Sequence, residues 1–248
     1  MITLNTILYE GNFDEFLVKD CWFFTFKSKL ITKKLLTINN LTSINRFNEK
    51  IEALREVSDF DVIFVEDTVD EVKEIFEINM NKDTTGYYYT IPYFVAIFNT
   101  KTKYILNIAS DCMRDIKVSD KFLENSLLEL DNNPLCSTTM VSWVNDNMFI
   151  NGKTVAQHEH DSLVKESSTL GKIENFIYTN GFTDQFFMGK ISKLMEVNYN
   201  LESNYSSTYH GPPYGGNCFE KRMVGYQTYN KIYNCVHKNS DYYIHDKK

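Results

Sequence analysis

From residue 33 to residue 131, short apolar runs alternate with stretches whose apolar residues recur every three or four positions. Lys34-Leu35-Leu36-Thr37-Ile38-Asn39-Asn40 predicts a strand that ends in two asparagines. Thr42 or Ser43 then offers a helix cap, and Ile44, Phe47, Ile51 and Leu54 fall on one helical face. Asp61-Val62-Ile63-Phe64-Val65 predicts the next strand, ending in Glu66-Asp67-Thr68, and Val69, Val72, Ile75 and Phe76 the inner face of the next helix. Residues 87–99 predict a helix carrying Tyr88, Ile91, Phe94, Val95 and Phe98, with Pro92 tolerable only near its first turn. Tyr104-Ile105-Leu106-Asn107-Ile108 is a buried strand that runs into Ala109-Ser110-Asp111. This β-α-β-α-α-β alternation predicts a parallel sheet with helices on its faces, and so an α/β fold.

The rest of the chain is less regular. Residues 1–30, centred on Trp22-Phe23-Phe24-Thr25-Phe26, suit a preliminary strand or an irregular cover. Residues 120–131 predict an amphipathic helix (Phe122, Leu123, Leu127, Leu130) stopped by Asn133-Pro134. Leu135 to Trp143 is strand-like, and Asn151-Gly152 between two short apolar runs signals a hairpin. Residues 156–172 are polar and loop-like, and Phe176-Ile177-Tyr178 is a short strand. Thr183-Asp184 appears as a helix start, with Phe187, Ile191 and Leu194 on one side. His210 to Gly216 is rich in turn formers, and a last helix runs from about Phe219 to Tyr233, with Glu220 in its first turn.

Composition narrows the possibilities. The 248 residues suit one large domain. A net charge of −7 with no basic cluster argues against nucleic acid as the main partner. Aromatics at 15% supply a large core and rings for a cleft. Five scattered cysteines without a C-x-x-C form neither a disulfide framework nor a zinc site, which points to a reducing compartment. With no run long enough to span a membrane and no signal peptide, the expected location is the cytoplasm, or the surface of a membrane the chain does not cross.

Three strands end in polar or acidic residues: Asn39, then Glu66 and Asp67, then Asp111. One such acid is ordinarily a turn cap. Parallel strands, however, bring their tips to one edge of the sheet, where α/β folds place ligands. Acids there suit Mg²⁺ or Mn²⁺, which take a few carboxylates and complete their shell with phosphate oxygens and water. His158-Glu159-His160-Asp161 offers metal-type donors in a polar loop, with no third ligand spaced to match. Trp143 suits either a sugar face or the core, and His210 with Tyr209 and Tyr214 suits either a lid or an ordinary connection.

The order strand–helix–strand ending Val65-Glu66-Asp67-Thr68, followed by Tyr104-Ile105-Leu106-Asn107-Ile108-Ala109-Ser110-Asp111, resembles the nucleotide-sugar-dependent glycosyltransferases of the GT-A fold, of the family-2 type. The resemblance covers roughly residues 33–235 and includes the helix from Phe122 that stops at Asn133-Pro134. It implies a Rossmann-like, mixed, mainly parallel sheet in one domain. Residues 1–130 would form the nucleotide-sugar half and residues 131–248 the acceptor half. It implies donor contacts from Asn39, Glu66, Asp67, Ser110 and Asp111, with Glu66 or Asp67 on the uracil or ribose. Asp111 would be the metal ligand of a D-x-D motif whose first acid is here Ala109. A late histidine reaches the metal in some members, and His245 is the candidate.

The implied partners are a UDP- or GDP-sugar donor and a glycan or polysaccharide acceptor, with Mn²⁺ or Mg²⁺ as cofactor. The implied reaction is an inverting hexosyl transfer with Asp184 as catalytic base. An aspartate in a helix first turn has its charged form favoured, which opposes that role. Two other readings stay open. A non-catalytic binding or assembly subunit of the same shape is kept alive by Ala109. A nucleotidyltransferase would need a Gly-rich basic stretch where Asn39-Asn40-Leu41-Thr42-Ser43 stands.

Overall fold

The computed structural model describes residues 1–78, 80–81, 86–112, 116–144, 149–150, 153–154, 175–179, 182–197, 218–237 and 241–244. Its strands are β1 Ile2–Tyr9, β2 Ile31–Asn39, β3 Asp61–Phe64, β4 Tyr104–Ile108, β5 Ile116–Lys117, β6 Cys136–Met140, β7 Ser142–Val144, β8 Phe149–Ile150, β9 Lys153–Thr154, β10 Phe176–Thr179, β11 Phe186–Lys190, β12 Tyr233–His237 and β13 Tyr242–Ile244. Its α-helices are α1 Phe13–Phe16, α2 Trp22–Thr25, α3 Ile44–Arg55, α4 Val65–Ile75, α5 Ile91–Asn99, α6 Asp120–Asn132, α7 Ile191–Met195 and α8 Phe219–Asn230.

One sheet of eight strands carries the fold, in the order β10-β12-β6-β11-β4-β1-β2-β3. β4, β1, β2 and β3 are mutually parallel, so their carboxyl ends share one edge as expected. β11 is antiparallel to both β4 and β6, which makes the sheet mixed. The hairpin signal is matched by β8 pairing antiparallel with β9, and a small sheet β5-β13-β7 stands beside the main one. Both faces of the main sheet are covered. One core joins Leu4 and Leu106 to Phe47 and Ile51 of α3 and Phe122 of α6. The other joins Ile7, Ile105 and Phe187 to Phe94 of α5 and Phe219 of α8. Among the described residues, no helix is long and apolar enough to cross a membrane.

Several expectations are met closely. Phe47, Ile51 and Leu54 of α3 are buried, while Ile44 at its open end is exposed. Pro92 lies in the first turn of α5, where no backbone N–H is needed. α6 begins with Ser119, whose hydroxyl accepts from the Phe122 N–H at 3.1 Å.

Of the two readings of residues 1–30, the strand holds at residues 2–9, which are flanked by β4 and β2, and three other expectations are corrected. Thr3, Asn5 and Thr6 interrupt the apolar run of that strand, yet they are buried with the rest. The strand Asp61–Val65 stops at Phe64, and Val65 begins α4, so Glu66 and Asp67 sit in a helical first turn. The helix expected at Thr183-Asp184 is strand β11 followed by the short α7. Phe187 and Leu194 nevertheless reach the same core, one from the strand and one from the helix, so their spacing fitted either structure. The last helix ends at Asn230, not Tyr233, because Lys231 takes the left-handed conformation at φ 54° and turns the chain into β12. That conformation usually signals glycine, so a lysine there hid the stop.

Candidate active site

The chemistry gathers where β4 ends and β11 begins. Phe186 of β11 pairs with Ile108 of β4, and the ladder continues beyond the strands through the Ala109 N–H, which donates to the Gln185 carbonyl at 2.7 Å. The Cys112 N–H returns to the Ala109 carbonyl at 3.1 Å, so Ser110 and Asp111 occupy the middle of a tight turn. Opposite this turn, Thr183 to Gln185 form a bend in which the Gln185 N–H donates to the Thr183 hydroxyl at 3.2 Å. Asp111 and Asp184 thus project from neighbouring backbone segments held together by the sheet.

Both line a cavity of about 350 Å³. Ile7 and Tyr9 of β1 also line it, with Asn12, Tyr89 and Tyr93, Ala109 and Ser110, Gln185, Cys218 and Glu220. No lysine, arginine or histidine is among these described lining residues. A larger hollow of about 560 Å³ lies where β2 and β3 begin and is edged by Lys27, Lys29, Lys33 and Lys34. It is at the amino ends of the strands, the edge that α/β sheets leave without chemistry. The smaller cavity is therefore the candidate site.

The charge balance in the cavity is uneven. Burial pushes the Asp184 carboxyl well above the usual carboxylate range, and the neighbouring Glu220 and Asp111 push it further. A hydrogen bond from the Tyr93 hydroxyl opposes them. The Tyr93 phenol is itself raised well above its ordinary value, first by burial and then by Asp184. Tyr9 is raised in the same way, by burial and Asp184, against a hydrogen bond from Asn39. Its hydroxyl donates to the Tyr88 carbonyl at 2.7 Å. Both phenols therefore stay protonated as donors. Asp184 opens onto the cavity and is enclosed by protein on its other sides. The dipole objection to it as a base does not apply, since it precedes a strand and not a helix.

Three carboxylates facing one cavity, Asp111, Asp184 and Glu220, are hard oxygen donors and fit a Mg²⁺ or Mn²⁺ ion. A second set of metal-type donors, Glu129, Cys136 and Cys235, lies within 4.8 Å of one another. Burial raises the Cys235 thiol well above its ordinary value, and the Lys193 ammonium donates to the Cys136 carbonyl at 3.1 Å. Glu129 accepts from Asn133 and from Tyr178. These contacts account for the cluster as core packing.

Of the residues expected to form the site, Ser110, Asp111 and Asp184 come together. Asn39 does not line the cavity. It is buried directly beside Tyr9, its register partner, with its side-chain amide 3.5 Å from the Tyr88 carbonyl. Glu66 and Asp67 are exposed at the tip of β3. β1 and β2 lie between that tip and β4, a span of roughly 14 Å at normal strand spacing. Glu66 instead faces Tyr87, whose phenol is pushed up to about 12 by burial and then by that carboxylate. His158 to Asp161, Tyr209, His210, Tyr214 and His245 lie outside the described residues, and Trp143 falls in β7.

The sequence reading missed Tyr9, Tyr93 and the cavity role of Glu220. Tyr9 ends a strand that was only one of two readings of residues 1–30, and Glu220 looked like an ordinary first-turn acid. Two signals were available. Tyr9 follows an apolar-rich run, and Tyr93 follows a proline in a helix that is apolar all round.

No family model and no curated protein matches this sequence. Solved structures do match its fold. S. aureus TarS 1-349 superposes with a TM-score of 0.51 at 12% identity, over 98% of this chain and 60% of that one. The same fragment in complex with UDP-GlcNAc gives 0.51 at 14% identity, over 100% of this chain and 58% of that one. A mycobacterial protein gives 0.51 at 9% identity, over 100% and 68%. This chain thus spans about 60% of the TarS fragment's length. At such identities the likeness is one of fold: the mixed, mainly parallel sheet flanked by helices, in a single domain, of the GT-A type.

Proposed function

We propose that this chain transfers a sugar from a nucleotide-sugar donor to a hydroxyl acceptor. One observation carries the reading: Asp111, Asp184 and Glu220 meet in one cation-poor cavity at the carboxyl edge of a GT-A-type sheet. TarS, which shares the fold, was solved with UDP-GlcNAc, and a UDP-sugar is the donor we assign, with a GDP-sugar as the variant. Residues 1–130 would hold the donor and residues 131–248 the acceptor, a glycan or polysaccharide. The chain would work in the cytoplasm, free or at a membrane surface.

Asp111 would bind Mg²⁺ or Mn²⁺, with Glu220 standing in for the carboxylate that Ala109 lacks. When bound, the cation offsets the charge on the departing diphosphate. The tyrosines act through hydrogen bonds and ring faces. Tyr9 and Tyr93 hold the cavity wall, and Tyr89, 44% exposed at its mouth, presents a ring on which a base or sugar can stack. Asp184 takes the proton of the acceptor hydroxyl as that oxygen attacks the anomeric carbon. The new bond joins the acceptor oxygen to that carbon. The old bond to the diphosphate breaks, and its electron pair leaves with the nucleoside diphosphate. Attack from the face opposite the leaving group inverts the centre. Positive charge bound beside it would bring the raised Asp184 pKa down toward the working pH, where the carboxylate is ionised yet still accepts a proton readily. Asn39 supports Tyr9 from behind, and Glu66 and Asp67 reach only the outer end of an extended donor.

The test is a panel of UDP- and GDP-sugars with Mg²⁺ or Mn²⁺, read by donor hydrolysis, transfer and thermal shift. Turnover lost in Asp184→Asn with donor binding retained supports the transferase. Binding without any turnover, unaltered by Asp184→Asn, would favour the assembly subunit. Failure to bind any nucleotide sugar would sink both.

A further inference from the structure

A row of buried polar side chains crosses the middle of the sheet and ends on Asp184. The Thr37 hydroxyl of β2 donates to Asn5 Oδ1 at 2.8 Å. Asn5 of β1 donates through Nδ2 to Asn107 Oδ1 at 2.7 Å. Asn107 of β4 donates through Nδ2 to the Asp184 backbone carbonyl at 2.9 Å. Every donor points the same way, from the outer strands toward β11. Asn5 and Asn107 are direct register partners, and Asn107 also faces Phe187 of β11. All three side chains are buried.

Packing alone does not ask for this row. Central parallel strands favour β-branched apolar residues, and asparagine is depleted in strands. Apolar side chains of the same shape would serve a core as well or better, because each polar group buried here must be fully paired. What they cannot do is hold a carbonyl outside the ladder. Gln185 O is taken by the Ala109 N–H, and Asp184 O is taken by the Asn107 side chain. Two successive carbonyls, those of Asp184 and Gln185, are therefore both held by residues 107 and 109 at the end of β4.

We infer that Asn107, backed by Asn5 and Thr37, is a positioning residue that aims the Asp184 side chain into the cavity. This rests on the proposed role of Asp184 as base. The row makes the aim of that side chain a property of the sheet and not of a loop. A misplacement of about 1 Å can cost on the order of a hundredfold in rate, so the loss of this hold falls on turnover.

The test compares Asn107→Leu with Thr138→Val in the full chain. Thr138 is an equally buried hydroxyl that donates to Asn234 Oδ1 at 2.9 Å, away from the row. Two readouts are taken: hydrogen exchange of the peptide spanning residues 182–187, and kcat and KM for the donor found in the panel above. Asn107→Leu is expected to speed exchange in that peptide about tenfold or more over other core peptides. It should lower kcat by roughly tenfold or more with donor KM within about twofold. Thr37→Ser should retain both properties, and Thr37→Val should show a weaker version of the Asn107→Leu effect. Thr138→Val should change exchange around its own strand and leave kcat unaltered. Exchange at 182–187 that rises no more than elsewhere would overturn the inference, as would an unaltered kcat in Asn107→Leu. If the natural chain turns over no nucleotide sugar, the transferase reading fails, and the exchange comparison still decides whether the row holds Asp184.

Discussion

Ala109 and Gln185 are joined by a backbone hydrogen bond of 2.7 Å, which ties the turn carrying Asp111 to the bend carrying Asp184. The proposed metal-binding carboxylate and the proposed base, so linked, would move as one body. Ala109, which lacks the first acid of the motif, thus joins the two segments through its backbone and not its side chain.

Asp184→Asn should remove turnover and raise stability together. In the folded chain the Asp184 pKa lies well above its ordinary value, while the unfolded chain titrates near 3.9. Between those two values the folded state holds the extra proton, so stability falls as pH rises. At neutral pH the amide should recover about 1–2 kcal/mol. Each kcal/mol should appear as an increase of roughly 2–4 °C in Tm, while the rate drops about a hundredfold or more. A thermal melt beside an activity assay checks both, and a melting point unaltered at pH 7 and above would contradict the electrostatic account.

Asp111→Ala should abolish the cation-dependent gain in UDP affinity, and Glu220→Gln should reduce it. Isothermal titration with UDP, with and without Mn²⁺, reads the effect directly. A gain of similar size in both variants would move the cation away from this cavity.

The pH profile should rise toward high pH with an inflection above the usual carboxylate range, since Asp184, as the proposed base, would have to lose its proton to act. Like charges at Glu220 and Asp111 raise that inflection, so raising the concentration of Mg²⁺ should lower it. Tyr93→Phe removes a hydrogen bond that favours the charged carboxylate and should move the inflection up. Profiles of kcat/KM at several Mg²⁺ concentrations test both directions.

Gly189→Ala should destabilise the chain. A Cβ at that position would stand 2.7 Å from Leu194 Cδ1, inside any normal contact. Overpacking of this kind costs roughly 1–3 kcal/mol, to be read from the midpoint of urea unfolding.

Much of this architecture was legible because apolar period and turn chemistry agreed. β2, α3, β4 and α6 each have an unbroken pattern and a clear stop. β1 stayed one of two readings of residues 1–30 because its threonines and asparagine obscure a run that is buried on both faces. β11 escaped because Phe187, Ile191 and Leu194 satisfy a helical period while belonging to a strand and the turn of helix after it. Asp111 was legible as an acid at a strand tip. Asp184 was legible as a residue but not as an environment, since its raised pKa comes first from burial and then from Glu220, 36 positions later in the sequence. Glu66 and Asp67 looked equivalent to Asp111 only because the presence of β1 between β2 and β4 is a fact of topology.

Gly189 carries one more implication. A strand covered by apolar cores on both sides is weakly told which side chain faces which way, because Phe187 and Met188 suit either core. α7 folds straight back after β11 and lays Leu194 over the one position without a side chain. Sliding β11 by a single residue would put Met188 or Lys190 under that leucine and would shift Asp184 along the edge of β4. The smallest residue in the strand therefore acts as its index mark, keeping the proposed base opposite Asp111.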